Sequence, residues 1–246
     1  MQVIMFILLV FFSVTLGDLI FRLVLGIVID ADTFTSVNLD DARITIAYML
    51  FSQVFSFLVA FMFYLRISGE WFSDMVNMQA IKLKPLLITL GILLACFIAL
   101  PLFELINEPL RQILPPGIVE REILMNERNT ELFVQSDPIQ FIFSLIVVAL
   151  LPAIFEELVF RGFLIKKMLQ SGMSDMGAIL MSGAIFALTH MQPLKFLSMF
   201  VLGAALGFVY VRFKNLKYSM IMHFLFNGTQ LTMAFLAGSG LPSIDL

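Results

Sequence analysis

The chain has 246 residues, 60% of them hydrophobic and 13% charged, with a formal net charge of −3. Soluble domains carry about 25% charged residues, so a soluble globular protein is excluded, and the mild acidity argues against a nucleic-acid partner, which calls for a basic patch. The apolar runs recur along the whole length and predict an all-α polytopic membrane protein, a bundle of about seven (six to eight) transmembrane helices around an intramembrane polar cavity.

The N-terminal run lacks the Lys or Arg that a cleavable signal would carry, so it is expected to be a retained helix. A crossing takes about 20 apolar residues. Stretches of that kind lie near 3–29, 43–65, 85–106, 138–165, 175–191, 196–213 and 218–237, the fifth and sixth being short. Asp18 and Arg22, four apart in the first, are expected to pair or to sit near the interface. Arg66, Lys82, Lys84, Lys166, Lys167, Arg212, Lys214 and Lys217 fall in alternate loops. Such loops face the cytoplasm, which puts the N-terminus inside and the C-terminus outside. The segment 107–137 is broken by Pro109, Pro115 and Pro116, and its charged part from Val119 to Val134 reads as a surface helix on the headgroups. A substrate-facing lid is ranked below that reading. Ser136-Asp137-Pro138 resembles a helix start. Gly203 and Gly207, four apart in the sixth span, predict close helix packing within the bundle.

A charged side chain at mid-bilayer costs roughly 2.5–3.5 kcal/mol on insertion scales, and the fourth span carries Glu156, Glu157 and Arg161. Glu157 and Arg161 are four apart, acid first, and share a face. Glu156 points about 100° away and lacks that partner, a layout suited to a general base. The chain has two histidines, and both fall in later spans: Phe186 and His190 end the fifth, while His223 and Asn227 share a face of the seventh. In a hairpin with its tip near Ser171–Ser174, Glu156 and His190 lie level at about 1.5 Å per residue. His223 joins them only if that hairpin protrudes or if the sixth span begins after an extended return, which Pro193 permits.

These stretches resemble the signatures of the CPBP intramembrane protease family, the CAAX prenyl endopeptidases and bacteriocin-processing enzymes also called Abi. Glu156-Glu157-x-x-x-Arg161 matches its first motif, Phe186-x-x-x-His190 its second and His223-x-x-x-Asn227 its third, in the family's order. The resemblance divides the chain into residues 1–137, variable N-terminal transmembrane helices plus an amphipathic extramembrane segment, and 138–246, the catalytic helical core. It implies an intramembrane glutamic endopeptidase in which Glu156 and His190 activate a water, and His223 and Asn227 stabilise the oxyanion. Glu157, Arg161 and Phe186 would be supporting residues. A membrane-associated peptide or protein would be the substrate, and a multi-pass location in the plasma (cytoplasmic) membrane would follow.

No cofactor is expected. Zinc is the rival, but no His-Glu-x-x-His element is present and a Glu–His pair activates water without it. Two further readings stand behind the protease. One is a non-catalytic bacteriocin self-immunity or peptide-binding membrane protein. The other is a proton-coupled transporter, ranked last, in which intramembrane acids relay protons.

Overall fold

A computed structural model describes residues 9, 12, 13, 16–21, 23, 24, 42–69, 71, 73, 76–133 and 138–238. The described chain is helical. Helix α1 covers 42–68, with a π-helical stretch at Val54–Val59. Helix α2 is Leu83–Ile113 and α3 is Pro116–Phe133. Helix α4, Pro138–Gln170, contains two π-helical stretches, Leu145–Leu150 and Leu158–Ile165. Helix α5 is Asp175–Thr189, α6 is Phe196–Phe213 and α7 is Leu216–Gly238. A 3₁₀ turn, Pro193–Lys195, leads into α6.

Ile46–Ser68, Leu83–Phe103, Pro138–Gln170, Pro193–Phe213 and Leu216–Ala237 are long and apolar enough to cross a membrane, and α5 is a shorter apolar helix. They correspond to the second through seventh predicted spans, and the chain is a multi-pass membrane protein. The described part of the first span is also helical. Phe21 there meets Tyr48 and Phe51 of α1 at 5.1 and 5.7 Å between ring centres. Arg22, and with it the Asp18–Arg22 pairing, lies outside the described residues, as do Ser136 and Asp137.

Helix α2 runs past the predicted boundary at 106 to Ile113, with Pro101 and Pro109 inside it. A membrane helix tolerates such prolines because neighbouring groups re-satisfy the freed carbonyls. It stops where Leu114, held extended at ψ 148, precedes Pro115 and Pro116. A residue before proline is driven out of the helical region in this way.

The closest helix packing joins α5 to α6. A Cβ at Gly183 would lie 2.9 Å from the Ala204 nitrogen, and one at Gly203 would lie 3.0 Å from the Gly183 Cα. Small residues at both positions let the backbones touch, as membrane helices do when dispersion rather than water expulsion holds them. Around this contact two apolar clusters form. Tyr64, Phe163, Ile165, Ile179 and Leu216 belong to one, and Leu93, Cys96, Leu206, Met222 and Phe226 to the other. The extended segment 76–82 is tied to the start of α7. Leu216 N donates to the Asn77 carbonyl at 2.9 Å, and Lys82 N to the Tyr218 hydroxyl at 2.7 Å.

Helix α3 stands where a surface helix is expected, and most of its described residues are exposed, but one face is turned to the bundle. Glu122 is buried and accepts a hydrogen bond from Leu194 N at 3.0 Å, while Lys195 Nζ donates to Asn126 Oδ1 at 2.9 Å. It also lies against α7 and the first turns of α4. One face is therefore docked on the bundle, and the docking partners are too distant in sequence for any local pattern to show them.

Gly183→Val is expected to break the α5–α6 contact, an overpacking cost of about 1–3 kcal/mol. Gly91, whose Cβ would meet nothing within 4 Å, should accept alanine without loss. Thermal unfolding of the two variants in detergent checks the contrast.

Candidate functional site

Glu157 ends the α-helical Leu151–Glu157 stretch, and Arg161 lies within the wider Leu158–Ile165 turn that follows. Such π-helical insertions recur at functional sites. The expected pair is formed: Arg161 Nη1 donates to Glu157 Oε1 at 2.8 Å, both side chains being fully buried. Arg161 reaches onward, and Nη2 donates to the Gly203 carbonyl at 2.8 Å. The small residues that bring α5 against α6 also bring that carbonyl within reach.

His223 of α7 closes the same cluster. Its Nδ1 lies 2.9 Å from Glu157 Oε1. A carboxylate already accepting from arginine acts as acceptor here too, so Nδ1 carries the hydrogen and Nε2 is the free ring nitrogen. That nitrogen lies 3.9 Å from Glu156 Oε2. Glu156 retains 18% side-chain exposure, yet its Oε2 is buried without a hydrogen-bond partner among the described residues. Glu157 is thus hydrogen-bonded through Oε1, while Glu156 meets His223 only at ion-pair distance, in line with their different positions on the helix.

Phe186 is the apolar hub. Its ring lies 4.6 Å from that of His190 and 5.9 Å from that of His223, centre to centre, and the Arg161 guanidinium carbon sits 5.1 Å from its centre. That last contact is a cation–π interaction, strengthened by desolvation. His190 Nδ1 lies 2.8 Å from the Phe186 carbonyl. A carbonyl only accepts, so Nδ1 donates and the neutral ring presents Nε2 as an acceptor. The described contacts join Glu156 to His223 rather than to His190, which meets the cluster through Phe186.

Asn227, one turn beyond His223, donates from Nδ2 to the Val148 carbonyl at 3.2 Å. From the other side Gln53 of α1 donates from Nε2 to the adjacent Val147 carbonyl at 3.1 Å. Both carbonyls belong to the Leu145–Leu150 wide turn, whose altered hydrogen-bond pattern offers them to side chains. The sequence reading did not single out Gln53, although a carboxamide within an apolar span was the available signal. Nor did it single out Glu122.

His223 joins Glu157 even though it lies only seven residues past the start of α7. Two features help bring it level. The non-helical Gln192 and the 3₁₀ turn break the chain between α5 and α6, as Pro193 suggested. The wide turn after Glu157 also rises less per residue than an α-helix, which draws the glutamates toward the α4–α5 tip.

Glu157 Oε1 already serves both Arg161 and His223. Among the described residues no group of three or more His, Cys, Asp and Glu is arranged to hold a metal ion. A surface hollow of about 340 Å³, lined by Gly117, Glu120, Arg121, Leu124 and Met125, lies on α3 and not at this polar centre.

Residues 138–229 match the family model described as type II CAAX prenyl endopeptidase Rce1-like. This bears out the resemblance to CPBP intramembrane proteases, and the matched stretch contains all three motifs. Neither the curated proteins nor the solved structures provide a match.

Removing one partner of a buried ion pair costs about 3–5 kcal/mol, because the other charge is left uncompensated. Arg161→Met is expected to destabilise the bundle on that scale, and adding Glu157→Gln should restore part of the loss. A double-mutant cycle on thermal stability in detergent measures the coupling; purely additive effects would contradict the described pairing.

Proposed function

Proceeding from that family match, we propose that this chain is an intramembrane endopeptidase of the CAAX-protease type. It would hydrolyse a peptide bond of a membrane-associated protein or peptide in the plasma (cytoplasmic) membrane. The observation that carries the reading is the division between the two glutamates. Glu157 is held through Oε1 by Arg161 and His223, its Oε2 being left unpartnered, whereas Glu156 makes no such hydrogen bond among the described residues and has its Oε2 3.9 Å from His223 Nε2.

A water between Glu156 and the peptide carbonyl gives its proton to the Glu156 carboxylate as its oxygen attacks the carbonyl carbon. His190, with Nε2 free to accept, holds the second hydrogen of that water. The tetrahedral oxyanion takes hydrogen bonds from His223 Nε2–H, when that ring is protonated, and from the second N–H of the Asn227 amide. Collapse of the intermediate breaks the C–N bond. The leaving amine takes the proton from Glu156, and a carboxylic acid and an amine result. Positioned donors of this kind act strongly in a water-excluded site. Glu157 and Arg161 do not touch the reacting atoms in this scheme. They hold the His223 ring in place, Glu157 accepting from Nδ1–H and favouring the protonated ring whose Nε2–H the scheme uses, as the carboxylate partner of a catalytic histidine does.

Glu156→Gln removes the proton acceptor with little change in shape. Cleavage should fall by about 10²–10⁴-fold while the thermal midpoint stays near that of the parent protein. Asn227→Ala, removing one oxyanion donor, should cost about 10²–10³-fold. Purified protein in nanodiscs, incubated with a membrane-peptide pool and read by mass spectrometry, supplies both rates. Undiminished cleavage by Glu156→Gln would sink the scheme.

A further inference from the structure

We propose that Gln53 of α1 is a positioning residue for this centre: by holding the Val147 carbonyl it confines the Asn227 amide to the neighbouring Val148 carbonyl and leaves the second N–H of that amide free for the oxyanion. The inference rests on the protease reading and adds to it a residue from outside the stretch that carries the three motifs.

The need for two amides begins with Pro152. In an α-helix a carbonyl accepts from the N–H four residues on, so the α-helical partner of Val148 O would be residue 152, a proline without an N–H. Val147 loses its partner differently. Leu151 N donates to Ile146 O, five residues back, at the end of the wide turn. In that wider register the partner of Val147 O would again be Pro152. The proline thus removes a main-chain donor from each of two adjacent carbonyls, and a carbonyl buried without a donor is costly. Side chains from two other helices fill the gap. Gln53 Nε2 donates to Val147 O at 3.1 Å, and Asn227 Nδ2 donates to Val148 O at 3.2 Å. Gln53 Oε1 is buried with no hydrogen-bond partner among the described residues, so the amide is engaged there through its nitrogen. Apolar contacts seat both helices on this part of α4. The rings of Phe57 and Phe155 stack with centres 6.2 Å apart, and a Cβ at Gly228 would lie 3.5 Å from Leu145 Cδ1.

Asn227 stands one turn from His223, whose Nε2 lies 3.9 Å from Glu156 Oε2, so the placement of its amide bears on the reacting carbonyl. A primary amide has two N–H donors. One is committed to Val148 O, and the other serves the oxyanion. Without Gln53, the Val147 carbonyl is an unsatisfied acceptor next to the one Asn227 already serves. An amide shared between the two carbonyls draws its second N–H away from the substrate. The interaction weakened in this way is made only in the transition state, so kcat falls while KM holds.

The test uses the full chain in nanodiscs and a peptide whose hydrolysis depends on Glu156. Gln53→Met keeps the length of the side chain and removes the donor. Its kcat should fall by about 10–100-fold, the scale of a small misplacement, with KM unchanged. In an Asn227→Ala background there is no amide to misplace, and the same substitution should change kcat by less than about twofold. Pro152→Ala returns an N–H to the turn, and beside it Gln53→Met should regain most of the lost rate. If Gln53→Met does not fold alone, its pair with Pro152→Ala is expected to fold and to cleave. A parental kcat in Gln53→Met overturns the assignment, as does an equal loss with and without Asn227, or a pair with Pro152→Ala that recovers neither folding nor rate. A glutamine that only stabilised the bundle would give a loss independent of Asn227. The protease reading is judged beforehand and separately, by whether Glu156→Gln still cleaves.

Discussion

One carboxylate oxygen organises the membrane core. Glu157 Oε1 accepts from Arg161 and from His223 at once, and Arg161 passes the connection to the Gly203 carbonyl. Three helices, α4, α6 and α7, are thereby tied at one depth. An isolated ion in a low-dielectric interior costs several kcal/mol even after relaxation, so none of these groups is tolerable without the others. Apolar packing alone would let the helices slide, because lipid tails offer nearly the same dispersion contacts as leucine. The buried polar centre specifies their register.

The same arrangement separates the two adjacent acids. Successive helical residues point about 100° apart, so Glu157 turns into the clamp while Glu156 turns toward His223 Nε2 and keeps some exposure. His223 is oriented by one carboxylate and presents its other nitrogen to the second. Phe186 packs against Arg161, His190 and His223. The wide turns of α4 contribute on both sides of the glutamates. One offers the Val147 and Val148 carbonyls to Gln53 and Asn227, and the other follows directly after Glu157.

Much of this was legible in sequence because it is local. The Glu157–Arg161 pairing follows from four-residue spacing, and the sixth predicted span coincides with α6, Phe196–Phe213. Gly203 was identified as a close-packing position, and it is one. What escaped depends on contacts remote in sequence. The contact of His223 with both glutamates needs the seventh span brought to the level of the fourth, and spacing alone left that level open. The docking of Glu122 on Leu194 joins residues 72 positions apart; nothing in a charged, amphipathic stretch distinguishes the acid that turns inward from those that stay in water. Gln53 was passed over for a similar reason, since a single amide in an apolar span shows its partner only once α1 lies beside α4.

The brevity of α5 bears on the lipid as well as on the protein. At about 22 Å it falls short of a hydrocarbon layer of about 30 Å. A bilayer meeting a helix shorter than itself thins locally or draws polar groups inward, at fractions of a kcal/mol per Å of mismatch. Where α5 ends at Thr189, acyl chains would dip and headgroups with their hydration would approach His190. Access of water to the polar centre can then be a property of the dented leaflet, and thicker, sterol-rich membranes would restrict it without altering a single side chain.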